Sequence, residues 1–170
     1  MKAFKLKEVL WVVGLLVLSR LIPHWPNVTA MGAAAILAPR WLNHSKLSLV
    51  VPVLALLVSD LILGFHSTMV FTYSSIFLVS WLSWRSQKEN LSGGVELIQW
   101  SLGSSLLFFL ITNFGVWLMT DSYQKNIYGL AMSYWKGVPF FVYDAMGTLM
   151  YLSLAIFVRH NRKLAVLFHK

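Results

Sequence analysis

No cysteine occurs in the chain, which excludes disulfides, thiolate metal sites, a cysteine nucleophile and thiol redox chemistry together. Charge is scarce too. Only 12% of residues are Asp, Glu, Lys or Arg, against roughly 25% in a soluble domain, while 58% are apolar; that balance belongs to an integral membrane protein. Acids are the scarcest group, with 6 against 14 Lys and Arg. The resulting net charge of +8 is not a nucleic-acid footprint, because the basic residues lie at the ends of apolar runs, as in a membrane protein facing a cytoplasm. No nucleic-acid partner is expected.

Catalytic signatures are missing as well. The chain contains no HExxH, GxSxG, P-loop or GxGxxG, and its two intramembrane acids lie on different apolar runs without a histidine at fixed spacing. No enzyme, no catalytic residue and no resident metal is read from it. No Pro/Gly/Ser-rich linker, internal repeat or low-complexity tract divides it, so residues 1–170 read as a single membrane domain.

What is present is six apolar runs: Val9–Ile22, Val28–Leu42, Leu47–Phe65, Met69–Trp84, Leu97–Met119 and Val138–Val158. The third, fifth and sixth approach the roughly 20 residues that cross a hydrocarbon core, and the others are shorter. The second, with its "AMGAAAILAPRW", is so rich in small residues that it should pack against protein on most sides. The expected fold is all-α, a bundle of six transmembrane helices. The start, "MKAFKLKEVLWVVGLLVLS", reads as a retained first helix in preference to a cleaved signal segment.

Charge placement orients this bundle. With a cytoplasmic N-terminus, the inner segments hold Lys2, Lys5, Lys7, Arg40, Lys46, Arg85, Lys88, Arg159, Arg162, Lys163 and Lys170. Only Lys125 and Lys136 fall outside, with Arg20 near the outer end of the first run. Both termini should therefore be cytoplasmic. Losing any one span would invert everything after it and scatter the lysines across both faces.

In that frame the unusual polar residues gather on the outer side. Asp60 lies one and a half turns before the outer end of the third run and His66 follows that run; Arg20, His24 and Asn27 lie at or after the outer end of the first. Tyr73 begins the fourth, Asn113 and Trp117 lie in the outer half of the fifth, and Asp144 is near the start of the sixth. The cytoplasmic half offers only Gln99 and serines by comparison. One-sided clustering implies an outward cavity lined by acids, amides and aromatics, in which Asp60, Asn113 and Asp144 meet if their helices are neighbours. The alternative for Asp60 is a structural pair with Arg20, for Asp144 a satisfied polar group, and for His66 a solvated loop position. Trp11, Trp41, Trp81, Trp84 and Tyr151 read as interfacial or packing residues. Between the last two runs, "TDSYQKNIYGLAMSYWKGVPFF" reads as a long outer loop with a short amphipathic helix ended by "KGVP". Its Tyr123, Tyr128, Tyr134 and Trp135 would form a lid or lie on the bilayer surface.

Four blocks, "SRLIPHWPNVTAMGAAAIL", "VPVLALLVSDLILGFHSTMVFTY", "LLFFLITNFGVWL" and "YGLAMSYWKGVPFFVYDAMGTLMY", resemble the small six-helix substrate-binding subunits (S-components) of energy-coupling-factor vitamin transporters. They are most similar to the BtuM-type cobalamin subunits and a related bacterial membrane family. The resemblance implies an inner-membrane protein with an outward vitamin pocket lined or supported by Asn27, Asp60, His66, Tyr73, Asn113 and Asp144. The ligand would be cobalamin or another corrinoid, transported and not held as a cofactor. The implied partners are the vitamin, the lipid bilayer and a transmembrane coupling subunit with its ATPases. S-components for other vitamins or small metabolites, and a structural or assembly protein without ligand, are the alternatives. Two departures stand out. The cobalamin branch can ligate cobalt through a cysteine, and here that role would fall to His66, His24 or a tyrosinate. Coupling subunits usually meet small residues four apart on the first helix; that run has only Gly14 and Ser19, whereas Ala30, Ala34 and Ala38 keep the spacing on the second.

The charge placement makes a direct prediction. A fluorescent protein fused after Lys170 should mature in the cytoplasm, and a cysteine introduced at Lys125 should react with a membrane-impermeant thiol reagent in intact cells. Labelling of Lys125→Cys only after lysis would invert the topology.

Overall fold

A computed structural model describes residues 6–42, 46–86, 91 and 93–161. Among them each apolar run becomes helical and no strand forms: α1 Leu6–Leu21, α2 Met31–Trp41, α3 Val51–Leu63, α4 Met69–Arg85, α5 Gly94–Met119 and α6 Ile127–His160, with a 3₁₀ turn at Lys46–Leu49 leading into α3. Three segments, Lys46–Leu63, Gly94–Met119 and Ile127–His160, are long and apolar enough to cross a membrane. Large apolar side chains such as Leu10, Trp11, Leu61, Ile62, Val70 and Phe157 stand exposed. In water such a surface would aggregate; it is the surface lipid covers. The protein is a membrane protein. Of the basic residues used to orient it, Lys2, Lys5, Lys88, Arg162, Lys163 and Lys170 lie outside the described residues.

The centre of the bundle is α2. It packs against α3, α4, α5 and α6, and Met31, Ala33 and Ala35 through Arg40 are buried. Small side chains permit this, because helix association in lipid depends on close backbone approach. A Cβ on Gly32 would collide with Thr148 Oγ1 of α6. The alanines at four-residue spacing are used in this internal packing: Ala38 is buried, and Ala30 and Ala34 pack against the core. They do not form an outward docking face. Gly14 on α1, by contrast, has open space around it.

Packing partners give the chain directions. Ser133 Oγ donates to the Asn113 carbonyl at 2.8 Å and Ser101 Oγ to the Ala145 carbonyl at 2.6 Å, so α5 and α6 form an antiparallel hairpin. Arg20 meets Asp60 near the ends of α1 and α3, and Ser83 of α4 meets Ile36 of α2. The connections 22–30, 64–68 and 120–126 therefore share one end of the bundle. Two left-handed backbone positions shape the first two, Asn27 (φ 63°) and Gly64 (φ 98°), the residue types that adopt that region most readily.

The long loop expected before the sixth run is largely absent. Asn126 caps α6, its Oδ1 accepting from Gly129 N at 2.8 Å, and the helix runs without interruption from Ile127 through "KGVP" to His160. Pro139 removes one backbone donor and ought to break a helix in water. Here the stretch is held against α5: Asn113 Oδ1 occupies the space where a Gly137 Cβ would sit, and Tyr134 Oη donates to the Leu110 carbonyl at 3.0 Å. The remaining turn is tied down by Lys125, whose Nζ donates to the Trp117 and Thr120 carbonyls at the end of α5, and by Trp117 Nε1 donating to the Gln124 carbonyl at 2.9 Å.

Gly137→Val should lower stability in detergent by about 1–3 kcal/mol, the usual cost of overpacking, whereas Gly14→Ala should shift it by less than about 0.5 kcal/mol. Equal thermal unfolding midpoints for the two variants would contradict the tight α5–α6 approach.

Candidate functional site

A cavity of about 310 Å³ opens among the helices at the end that carries the three connections. The end of α1 contributes Arg20 and the following segment His24, Asn27 and Thr29; the start of α2 contributes Met31 and Gly32. Leu56 and Leu63 of α3, His66, and Thr72 and Ile76 of α4 form another wall, with Phe108 of α5 and Asp144 of α6 deeper in the bundle.

Beside it lies a closed ionic cluster. Asp60 is 1% exposed, in the last turn of α3. Arg20 Nη1 donates to its Oδ1 at 2.7 Å, and Tyr73 Oη donates to its Oδ2 at 2.8 Å. The same Arg20 nitrogen donates to Ser59 Oγ and, at 3.4 Å, to the Leu56 carbonyl. Both carboxylate oxygens are thus engaged, which is the condition for a buried charge to be tolerated. The cluster joins α1, α3 and α4 at the cavity rim, with the partly buried Arg20 as the member that lines the cavity. Asp60 and Tyr73 stand behind the wall and do not line it.

Of the residues read from the sequence, Asn27, His66 and Asp144 line the cavity, together with Arg20 and His24. Asp60 and Tyr73 support it through Arg20. Asn113 is elsewhere: its Nδ2 donates to the Phe109 carbonyl one turn back at 2.8 Å, and its oxygen fills the space over Gly137. The expected meeting of Asp60, Asn113 and Asp144 does not occur, because Asn113 faces the α5–α6 seam. The aromatics assigned to a lid are also displaced. Tyr134 packs on Phe109 with ring centroids 5.5 Å apart, and Tyr128 and Trp135 are exposed on α6. Near the mouth the aromatic pair is instead Trp25 with Tyr143, 5.4 Å between centroids.

Asp144 differs from Asp60 in every respect. Because α6 starts at Ile127, this acid sits at mid-helix, far from an end. Among the described residues no cation pairs with it, and the Ser105 hydroxyl approaches it without hydrogen-bond geometry. The histidines hold local bonds, His24 Nδ1 with the Trp25 carbonyl at 2.7 Å and His66 Nδ1 with Thr68 Oγ1 at 2.9 Å. No cluster of three His, Cys, Asp or Glu suited to a metal ion exists among the described residues.

Sequence reading missed a second polar centre, at the opposite end of α2. Arg40 is 3% exposed; its Nε donates to Ser83 Oγ at 2.8 Å, its guanidinium lies 4.5 Å from the Trp100 ring centroid, and Glu96 is close enough for charge attraction. Arg159 stacks over Trp41 at 4.7 Å beside it. The half of the bundle expected to face the cytoplasm thus has more than Gln99 and serines. The available signal was the position of Arg40 within a run of buried small residues, which a count of loop charges overlooks.

The model of a family of unknown function, DUF6580, matches residues 3–164, and the chain belongs to that family. No curated protein and no solved structure matches the chain.

Arg20→Met leaves Asp60 buried without its counter-charge and should destabilise the folded protein by about 3–5 kcal/mol, most of which the double change with Asp60→Leu should restore. Tyr73→Phe should cost about 1.5–3 kcal/mol, the worth of a hydrogen bond to a charged group. Chemical unfolding in micelles reads all three. A double variant no more stable than Arg20→Met would show that the stranded Asp60 charge is not the cause of the loss.

Proposed function

We propose that this DUF6580 member is a membrane substrate-binding subunit for vitamin uptake, of the energy-coupling-factor S-component type. In this reading six helices cross a bacterial inner membrane, both termini are cytoplasmic, and the cavity faces outward. The observation that supports it best is the cavity itself: a recess at membrane depth, rimmed by Arg20, His24, Asn27 and His66 and floored by Asp144. Polar groups at that depth are expensive unless they serve a ligand or one another. No nucleotide-binding motif is present, so energy for release comes from a partner, and the open surroundings of Gly14 leave the outer face of α1 free to meet it.

Size narrows the ligand. At about 310 Å³ the cavity lies near the bottom of the roughly 300–1,000 Å³ range of small-molecule sites. That suits a vitamin of ordinary size or a small metabolite. Cobalamin or another corrinoid, to which the resemblance points first, requires the 22–30 and 64–68 connections to part before it can enter.

A structural role without a ligand is favoured by one observation, the closed Arg20–Asp60–Tyr73 cluster, which satisfies Asp60 internally. The two readings separate in one experiment. Purified protein is unfolded thermally in detergent against the water-soluble vitamins singly, with cyano- and hydroxocobalamin included. One of them should raise the midpoint, with a stabilisation of about 2.7 kcal/mol at a hundredfold excess over Kd, and Asn27→Gly, which removes the amide but keeps the left-handed backbone, should abolish the rise. Co-elution of a cobalamin would show that the connections open widely. A flat response to the whole panel would overturn the substrate-binding reading in favour of the structural one.

A further inference from the structure

The cavity carries two kinds of charge, and only one is satisfied. Arg20 is engaged by Asp60, Ser59 and Leu56, while Asp144, deeper and on a different helix, has no cationic partner among the described residues. The histidines at the mouth hold bonds within their own loops. Ser105 on α5 lies against Asp144, and Thr148 is one turn further along α6 on the same side; both are buried behind the cavity lining. Thr148 Oγ1 also occupies the space directly over Gly32, a cavity residue.

We infer that Asp144 is the cation-recognition point of the cavity, and that the ligand bears a primary ammonium or comparably charged amine. The inference rests on the substrate-binding reading and names the ligand class within it. An ammonium offers three donors and no acceptor, and the floor of this cavity offers a carboxylate with no counter-charge among the described residues. An ionised carboxylate at membrane depth without a counter-charge is costly, and a cationic ligand supplies that counter-charge on arrival. Arg20, at the rim, repels a cation only weakly because Asp60 neutralises it. The cavity thus disfavours anions at its floor and accepts a cation there.

Three probes of one size test this: benzylamine, which is cationic at neutral pH, benzyl alcohol and benzoate. Each is titrated into the full-length protein in detergent and potassium buffer, with the thermal midpoint as readout. Benzylammonium should bind about tenfold or more tightly than the alcohol, the worth of a charge-assisted hydrogen bond, and benzoate most weakly. Asp144→Asn should remove the preference, Asp144→Glu should keep it, and Asp121→Asn, an exposed acid outside the cavity, should leave it unchanged. If Asp144→Asn does not fold, the ordering in the wild type and in Asp144→Glu decides. Equal binding of amine and alcohol, preference for benzoate, or an amine preference that survives in Asp144→Asn would overturn the assignment. So would a sodium-specific, Asp144-dependent stabilisation without amine preference, which would make the bound cation a metal ion. If none of the three probes binds but a neutral or anionic vitamin does, the Asp144 assignment falls and the substrate-binding reading stands. If nothing binds, both fall.

Discussion

The architecture depends on the shortness of α2. Its 11 residues span about 16 Å, roughly half of a hydrocarbon core of about 30 Å, and its small side chains let α3, α4, α5 and α6 close around it. A central helix that begins at Met31 leaves a gap above its first turn, between neighbours that extend further. The cavity fills that gap: Thr29, Met31 and Gly32 form its base on the α2 side. At the other end the helix terminates within the bundle, and a cation is needed there. Arg40 answers the carbonyls of the last turn by its charge, and Trp100 and Ser83 hold its side chain.

The two intramembrane acids show how environment separates identical groups. Asp60 has both oxygens bonded and a guanidinium against it, so it acts on the architecture, fixing three helices at the rim. Asp144 has neither, and it faces the recess. Replacing the first disturbs the scaffold; the second lies on the open face of the recess. The rim cluster also positions Arg20, so the scaffold and the site share one residue.

The six runs were legible because each is apolar enough to be a helix in lipid, and the small residues of the second rightly marked it as internal. The end of the fifth loop was not. Gly137 and Pro139 are stop signals in water, but in a packed membrane bundle neighbouring helices compensate for the lost donor, and the glycine is there for Asn113. That one misreading moved Asp144 from a helix end to mid-helix. Which acids pair and which stay open is a matter of helix neighbours, which spacing along one chain does not encode. The pairing of Asp60 with Arg20 was one of two readings; the displacement of Asn113 to the α5–α6 seam, and the burial of Arg40, depend on contacts between segments 24 to 43 residues apart.

The α5–α6 hairpin reaches beyond what a bilayer requires. With 34 residues, α6 is about 51 Å long, so one end stands clear of a core of about 30 Å, and the turn at 120–126 is clamped by Lys125, Trp117 and Asn126. For a protein of 19.4 kDa, too small to align readily in electron micrographs, this is a rigid handle at the same end as the mouth of the cavity. A binding protein raised against the tip would report the orientation of the whole bundle from the side on which the recess opens.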